Sequence, residues 1–353
     1  SRIFGTPHLL PHDNSNFRGG CARGHSLQST KGRDSHTSKN VTISSRFILN
    51  KKRMFEGFEI FSTVTQLDPL VEIHGIKGGS GPALLLLHGF PQTHHIWHGV
   101  AAELSSQFTI IAIDLRGYGA SSKPSGVDNY VKSAMARDCT TVMEQLGYSS
   151  YFICAHDRGA RVAHKLLVDF PHRVKKAIFL DICPTLAMYT KTNFDFAKAY
   201  FHWFFLIQKS PMPENMISND PRGFAERYMG NRYAPLSMFH PNCFEEYVKG
   251  LSDPDAVHAM CEDYRAAASL DLEEARRDID ADNLIQTPLR VLWGQHGVIE
   301  KCFDAVQEWK AVSKSSVEGG NIDCGHYIPE EAPELVAQNI REFFCIKGLN
   351  CPI

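Results

Sequence analysis

The stretch Tyr151-Phe152-Ile153-Cys154-Ala155-His156-Asp157-Arg158-Gly159-Ala160 leaves its surroundings little freedom. An apolar run of strand length ends in small-x-Asp-x-small, from Ala155 to Gly159, and a helical pattern runs from Ala160 to Phe170. A strand that turns sharply into a helix crowds its own backbone. Small residues therefore flank the turn, and the residue between them is thrust outward. This is the layout of a nucleophile elbow, with aspartate where the common form carries serine. A serine hydroxyl attacks carbonyl carbon. A carboxylate is a poor acyl acceptor but a workable nucleophile at saturated carbon bearing a leaving group. Asp157 thus points to cleavage of carbon–halogen or epoxide carbon–oxygen bonds. The competing reading, an aspartate that merely caps a helix, is common for a lone Asp.

The chain around the elbow alternates strand and helix. Gly57 to Gln66 and Leu70 to Ile76 read as a hairpin about Asp68-Pro69. Ala83 to Leu87 is continuously apolar, as a strand buried on both faces must be. Helix Ile96 to Leu104, strand Phe108 to Ile113, helix Tyr130 to Leu146 with Gly147 as its stop, the elbow pair and strand Ala177 to Asp181 follow. The rhythm predicts a mostly parallel sheet flanked by helices. It breaks at Pro184. Until about Ala281 only helical patterns rich in Phe, Tyr, Trp and Met appear. Strand Leu289 to Trp293, helix Phe303 to Val312, strand Val317 to Ile322 and helix Pro333 to Phe344 then complete the pattern. The expected organisation is an α/β core, 54–183 and 282–353, with a helical cap, 184–281, over the strand ends where ligands bind in open α/β sheets.

Residues 1–53 are expected to lie outside this fold. They hold ten Lys/Arg and two acids, Asp13 and Asp34, so they carry +8 within a chain of net charge -2. Without periodic apolar positions they read as a disordered basic extension. Translated sequence upstream of a start at Met54, a mitochondrial transit segment and a basic arm are the three readings. The expected compartment is the cytoplasm, or the mitochondrion if the segment is a true transit sequence. Ten scattered cysteines without a Cys-x-x-Cys pair fit reduced surroundings. The charge balance gives no reason to expect nucleic acid or membrane, so a small molecule is the expected partner, with a homodimer left open.

A base follows the last strand at His326, in Asp323-Cys324-Gly325-His326-Tyr327, on the same sheet edge as the elbow. A catalytic Cys324 lacks an elbow to present it. The loop after the penultimate strand, Gly294-Gln295-His296-Gly297, has no acid at its tip, whereas the strand after the elbow helix ends in Asp181. Asp181 is therefore expected to orient the imidazole, with Asp304 and Glu300 as weaker alternatives. His88-Gly89-Phe90-Pro91 supplies an oxyanion hole from the backbone N–H of Phe90 together with that of Arg158. His88 itself reads as structural. His94, His95 and His98 sit on an expected exposed helix start without matching carboxylates or cysteines, so no metal and no cofactor is expected.

Taken together, His88-Gly89-Phe90-Pro91-Gln92-Thr93, Asp157-Arg158-Gly159-Ala160-Arg161, Asp181-Ile182-x-Pro184-Thr185, His202-Trp203 and Cys261-Glu262-Asp263-Tyr264-Arg265 resemble the fluoroacetate (haloacetate) dehalogenases of the α/β-hydrolase superfamily. The likeness runs from about Phe55 to Phe344, and Ala155 stands where glycine is frequent. It implies that Arg158 and Arg161, three apart on one helix face, hold a substrate carboxylate. It also implies that His202, Trp203 and Tyr264 donate hydrogen bonds to a departing halide. One arginine pairing with acids of the lid is the rival for the first assignment. An epoxide hydrolase, with Tyr264 and Tyr228 or Tyr233 protonating the ring oxygen, is the rival activity. A lapsed hydrolase that binds ligand without turnover is the third reading.

Overall fold

The computed structural model describes residues 54–344, so the expectations for residues 1–53 lie outside the described residues. Eight strands form one sheet: β1 (Glu59–Leu67), β2 (Leu70–Gly79), β3 (Ala83–Leu87), β4 (Thr109–Ile113), β5 (Tyr151–His156), β6 (Val174–Leu180), β7 (Leu289–Gly294) and β8 (Val317–Ile322). Their order is β1-β2-β4-β3-β5-β6-β7-β8. The β1–β2 hairpin and the β2–β4 pair are antiparallel, and every later pair is parallel. The expected mostly parallel sheet is what forms.

Side-chain alternation explains why the central strands are apolar throughout. Leu85 and Leu87 of β3, Ile153 and Ala155 of β5 and Phe179 of β6 join one buried cluster. Their neighbours Leu84, Leu86, Phe152, Cys154, Ile178 and Leu180 join another. Successive residues of a strand face opposite sides of a sheet, so these are the two faces. Helices Lys132–Gln145 and Arg158–Asp169 cover the first, helices His98–Leu104 and Pro333–Phe344 the second. Each fully buried leucine contributes about 2 kcal/mol by leaving water.

Two sequence expectations needed adjustment. The helix expected from Phe303 to Val312 is shorter, Ala305–Lys310, and a separate short helix that was not expected, Val298–Cys302, precedes it. Asp304 sets the later start, because its carboxylate accepts the Gln307 N–H and caps the helix. The helix expected at Ile96 begins as a 3-10 turn, His94–Trp97, whose cap is Thr93. Between β6 and β7 the chain is helical, from Thr185–Thr190 to Leu270–Asp280. No helix among the described residues is long and apolar enough to cross a membrane.

Register places the chemistry. Leu87 pairs with Ala155, His156 with Leu180, Leu180 with Leu292 and Gly294 with Ile322. The residues just past these pairs therefore line one edge: Phe90, Asp157, Asp181 and the loop to His326.

Candidate active site

Asp157 has φ 45° and ψ -113°, a conformation a side chain adopts only where the surroundings impose it. Small neighbours make the turn feasible. A Cβ on Gly159 would stand 2.5 Å from the His88 carbonyl oxygen, and one on Gly89 would stand 2.5 Å from the Asp157 Cβ. Asp157 precedes helix Arg158–Asp169 yet makes no capping bond with its side chain. Its Oδ2 instead accepts the Phe90 N–H at 3.1 Å. Burial works to raise this carboxyl, but His326, His156, Arg161 and Arg158 outweigh it and hold it well below the usual range. It is an ionised, buried carboxylate.

His326 donates from Nδ1 to Asp181 Oδ2 at 2.6 Å, which leaves Nε2 for a reacting water. Asp181, at φ 54°, also accepts the Gly294 N–H at 3.0 Å through Oδ1. Burial pushes the Asp181 carboxyl up, while the Gly294 amide and nearby cations pull it back. The short bond from the imidazole N–H fixes it as the acceptor. Burial, then the charge of Arg232, lowers His326 to about 3, so the ring is neutral at ordinary pH. The loop is pinned from both sides. Glu331 accepts the Gly325 and Tyr327 N–H groups, and His156 Nε2–H donates to the His326 carbonyl at 2.8 Å. Asp304 and Glu300 are spent elsewhere, on a helix cap and on the Trp293 indole. Burial pushes the Cys324 thiol up, away from the reactive thiolate.

The inserted helices close the site from above. The ring of His202 stacks on Phe90 at 6.2 Å, and Tyr264 meets Phe90 edge-on at 5.3 Å. Arg158 lies 4.2 Å over the Tyr264 ring and Arg161 4.5 Å over Trp203. The buried Nδ1 of His202, Nε1 of Trp203, Oη of Tyr264, Nη1 of Arg158 and Nε of Arg161 have no hydrogen-bond partner. Unpartnered buried polar atoms are costly unless something else satisfies them. Four of them belong to residues that feel the charge of Asp157 (His202, Tyr264, Arg158 and Arg161), and the fifth to Trp203, which lies under Arg161.

Geometry revises the arginine pair. The Nε and Nη2 of Arg158 donate to the Asp263 carboxylate at 2.8 and 2.7 Å, and Nη2 also reaches the Asp263 carbonyl. Arg161 donates to the Cys183 carbonyl and the Thr185 hydroxyl. Arg161 Nη2 donates to Met188 Sδ, so each guanidinium keeps one nitrogen without a partner, Nη1 of Arg158 and Nε of Arg161, not a full fork. Asp263 also takes Lys132 Nζ at 2.6 Å and the Tyr118 hydroxyl at 2.9 Å.

His88 is structural, as expected: Nδ1–H donates to Gly89 O, and Nε2 accepts the Leu115 N–H. The histidine-rich start is not the exposed, carboxylate-free patch that the sequence suggested. His94 is buried, and Asp114 accepts from both His94 and His74. His74 arrives from β2, so spacing around His94 could not reveal it. Cys243 and Glu330 lie beside His98. His94 and His74 spend Nδ1 on Asp114, and His98 spends it on the His95 carbonyl.

The α/β hydrolase fold family matches residues 82–238. A fluoroacetate dehalogenase from Burkholderia sp is 39% identical over 82% of this chain and 95% of its own length. The chain belongs to the α/β-hydrolase family. A soluble epoxide hydrolase from Corynebacterium sp. (strain C12) is 31% identical to this hydrolase over 77% of the chain and 93% of its own length. A solved α/β-hydrolase structure from Nostoc sp PCC 7120 superposes on it with a TM-score of 0.79 at 44% identity, covering 83% of this chain and 99% of that one. The hydrolase adds one residue that sequence reasoning passed over. Arg232 follows helix Pro221–Gly230, where nothing but its aromatic neighbours Tyr228 and Tyr233 sets it apart.

Proposed function

We propose that this hydrolase removes halide from short 2-halo acids through an ester on Asp157. The observation that carries the reading is the set of buried polar atoms without partners on His202, Trp203, Tyr264, Arg158 and Arg161, in the neighbourhood of an ionised carboxylate. A carboxylate substrate and a departing halide are both anions and together would satisfy such a set. The free N–H positions of Arg158 and Arg161 hold the acid. An Asp157 oxygen attacks the halogen-bearing carbon from behind, a C–O bond forms, and the halide leaves with its electron pair toward His202, Trp203 and Tyr264. His326 Nε2 then takes a proton from water, and the hydroxide adds to the Asp157 carboxyl carbon. The Phe90 N–H stabilises the charge on the oxygen it already faces. Collapse breaks the ester, and the alcohol oxygen of the 2-hydroxy acid takes the proton from His326.

Halide release from bromoacetate, chloroacetate and fluoroacetate tests this. His326→Gln should release one equivalent of halide and stop, with a mass adduct on Asp157 equal to the acid less its halide. A second reading, epoxide hydrolysis, is favoured by the unpartnered Tyr264 hydroxyl, with Tyr264 and Tyr228 both packed edge-on against Phe90, and by the Corynebacterium relative. Diol formation from styrene oxide without halide release from any halo acid would select it.

A further inference from the structure

Arg232 is a cation with no carboxylate. Among the described residues it makes no ion pair, whereas Arg222, Arg227 and Arg265 of the inserted helices each hold an acid; Arg276 and Arg277 make none either, but they lie exposed to solvent. Its guanidinium lies between three tyrosine rings, 4.9 Å from Tyr228, 5.2 Å from Tyr200 and 5.7 Å from Tyr327. One bond ties it down, from Nη2 to the Tyr228 hydroxyl at 2.8 Å. An aromatic box suits a guanidinium face while leaving its edge free to donate.

Its position has two sides. Outward, Arg232 lines a groove of about 760 Å³ in the helical insertion, where Lys198, Arg227 and Arg232 stand against Asp195 and Asp220 and leave one positive charge in excess. Inward, Tyr228 packs edge-on against His202 at 5.0 Å and against Phe90 at 5.4 Å, and Tyr327 adjoins His326. The segment is also held in place, because Tyr233 stacks on His296 of the core at 3.9 Å. Arg232 therefore spans the wall between an outer groove and the acid–imidazole site.

We propose that Arg232 is the first docking point for the substrate carboxylate, an anion site at the inner end of this groove that passes the acid to Arg158 and Arg161. The inference rests on reading the substrate as a small carboxylic acid. Charge focused at the mouth of a low-dielectric cleft raises the local concentration of the opposite charge and the rate of capture. The lost interaction should then appear in capture, not in the chemical step.

The test is steady-state halide release from bromoacetate at pH 8 by the full chain, Arg232→Gln and Arg232→Lys. Arg232→Gln should raise KM about 10- to 50-fold with kcat within about threefold, as expected for a binding interaction that does not change at the transition state. Arg232→Lys, which keeps the charge, should recover most of the loss. Unchanged KM in Arg232→Gln overturns the proposal. So does a fall in kcat as large as the rise in KM, or a lysine variant no better than the glutamine one, since either marks a packing role. If the unaltered protein releases no halide from any halo acid, the dehalogenase reading fails, and this inference falls with it.

Discussion

Asp263→Asn removes one charge and almost no volume from a carboxylate that accepts four hydrogen bonds. Asp263 is fully buried and takes Arg158 through two N–H donors, Lys132 Nζ and the Tyr118 hydroxyl. Lys132 keeps a second acid, Asp271, at 3.1 Å. Arg158 has no other carboxylate among the described residues and already carries one unpartnered nitrogen. Removing one member of a buried ion pair costs about 3–5 kcal/mol, since the remaining charge stays buried and unmatched. Taking about 4 kcal/mol and a urea slope near 3 kcal/mol per molar, the unfolding midpoint should fall by roughly 1.3 M. Because Arg158 crosses from the core to helix Pro254–Ala267, KM for a halo acid should rise as well. The pH dependence has a definite sign. Burial opposes ionisation of Asp263, but Arg158 and Lys132 hold its carboxyl well below the usual range. The stabilisation is thus present above the unfolded value near 3.9 and lost as pH falls below it. A midpoint shift under about 0.3 M would refute the claim that this carboxylate locks the insertion to the core.

Trp203→Phe keeps an aromatic face under Arg161 and deletes an indole donor. Fluoroacetate turnover should drop about 100-fold, as for loss of one preorganised donor, with a smaller loss for bromoacetate. Equal losses would count against a halide contact. Gly89→Ala should abolish activity while the protein still folds, because the added methyl meets the Asp157 side chain; intact halide release refutes it. Acid should unfold this protein early. Burial lowers His88, His156 and His164 to about 4 and His326 to about 3, so folding stabilises their neutral forms. That stability is whole above pH 6.5 and is lost as pH falls toward those values. At pH 5 each ring costs about 2 kcal/mol, so the urea midpoint should be level from pH 7 to 8.5 and fall steeply below 6.5.

What could be read from the sequence was whatever sterics or strand ends write locally. The elbow announces itself because a crowded turn demands Ala155 and Gly159 around Asp157. Asp181 was legible because a strand with no acid in the next strand's loop leaves one carboxylate at the right edge. His202, Trp203 and Tyr264 stood out only through likeness to a family, since aromatic residues in a helical insertion otherwise read as core. The pairing of Arg158 with Asp263 spans 105 residues, and no local pattern encodes it. Arg232 was invisible for the same reason: its tyrosine box is assembled from Tyr200, Tyr228 and Tyr327, far apart in the chain. The His74–Asp114–His94 cluster likewise exists only once β2 lies beside β4.

The alignment of strand ends has a consequence for how such a protein can change. Phe90, Asp157, Asp181 and His326 inherit their spacing from the repeat distance between neighbouring strands, about 4.8 Å, which the backbone ladder fixes. That spacing comes from the sheet and not from the inserted helices. Redrawing those helices would leave the strand ends where they are but would retune the reacting groups, because Arg232 acts on His326 and Asp263 holds the Arg158 beside Asp157.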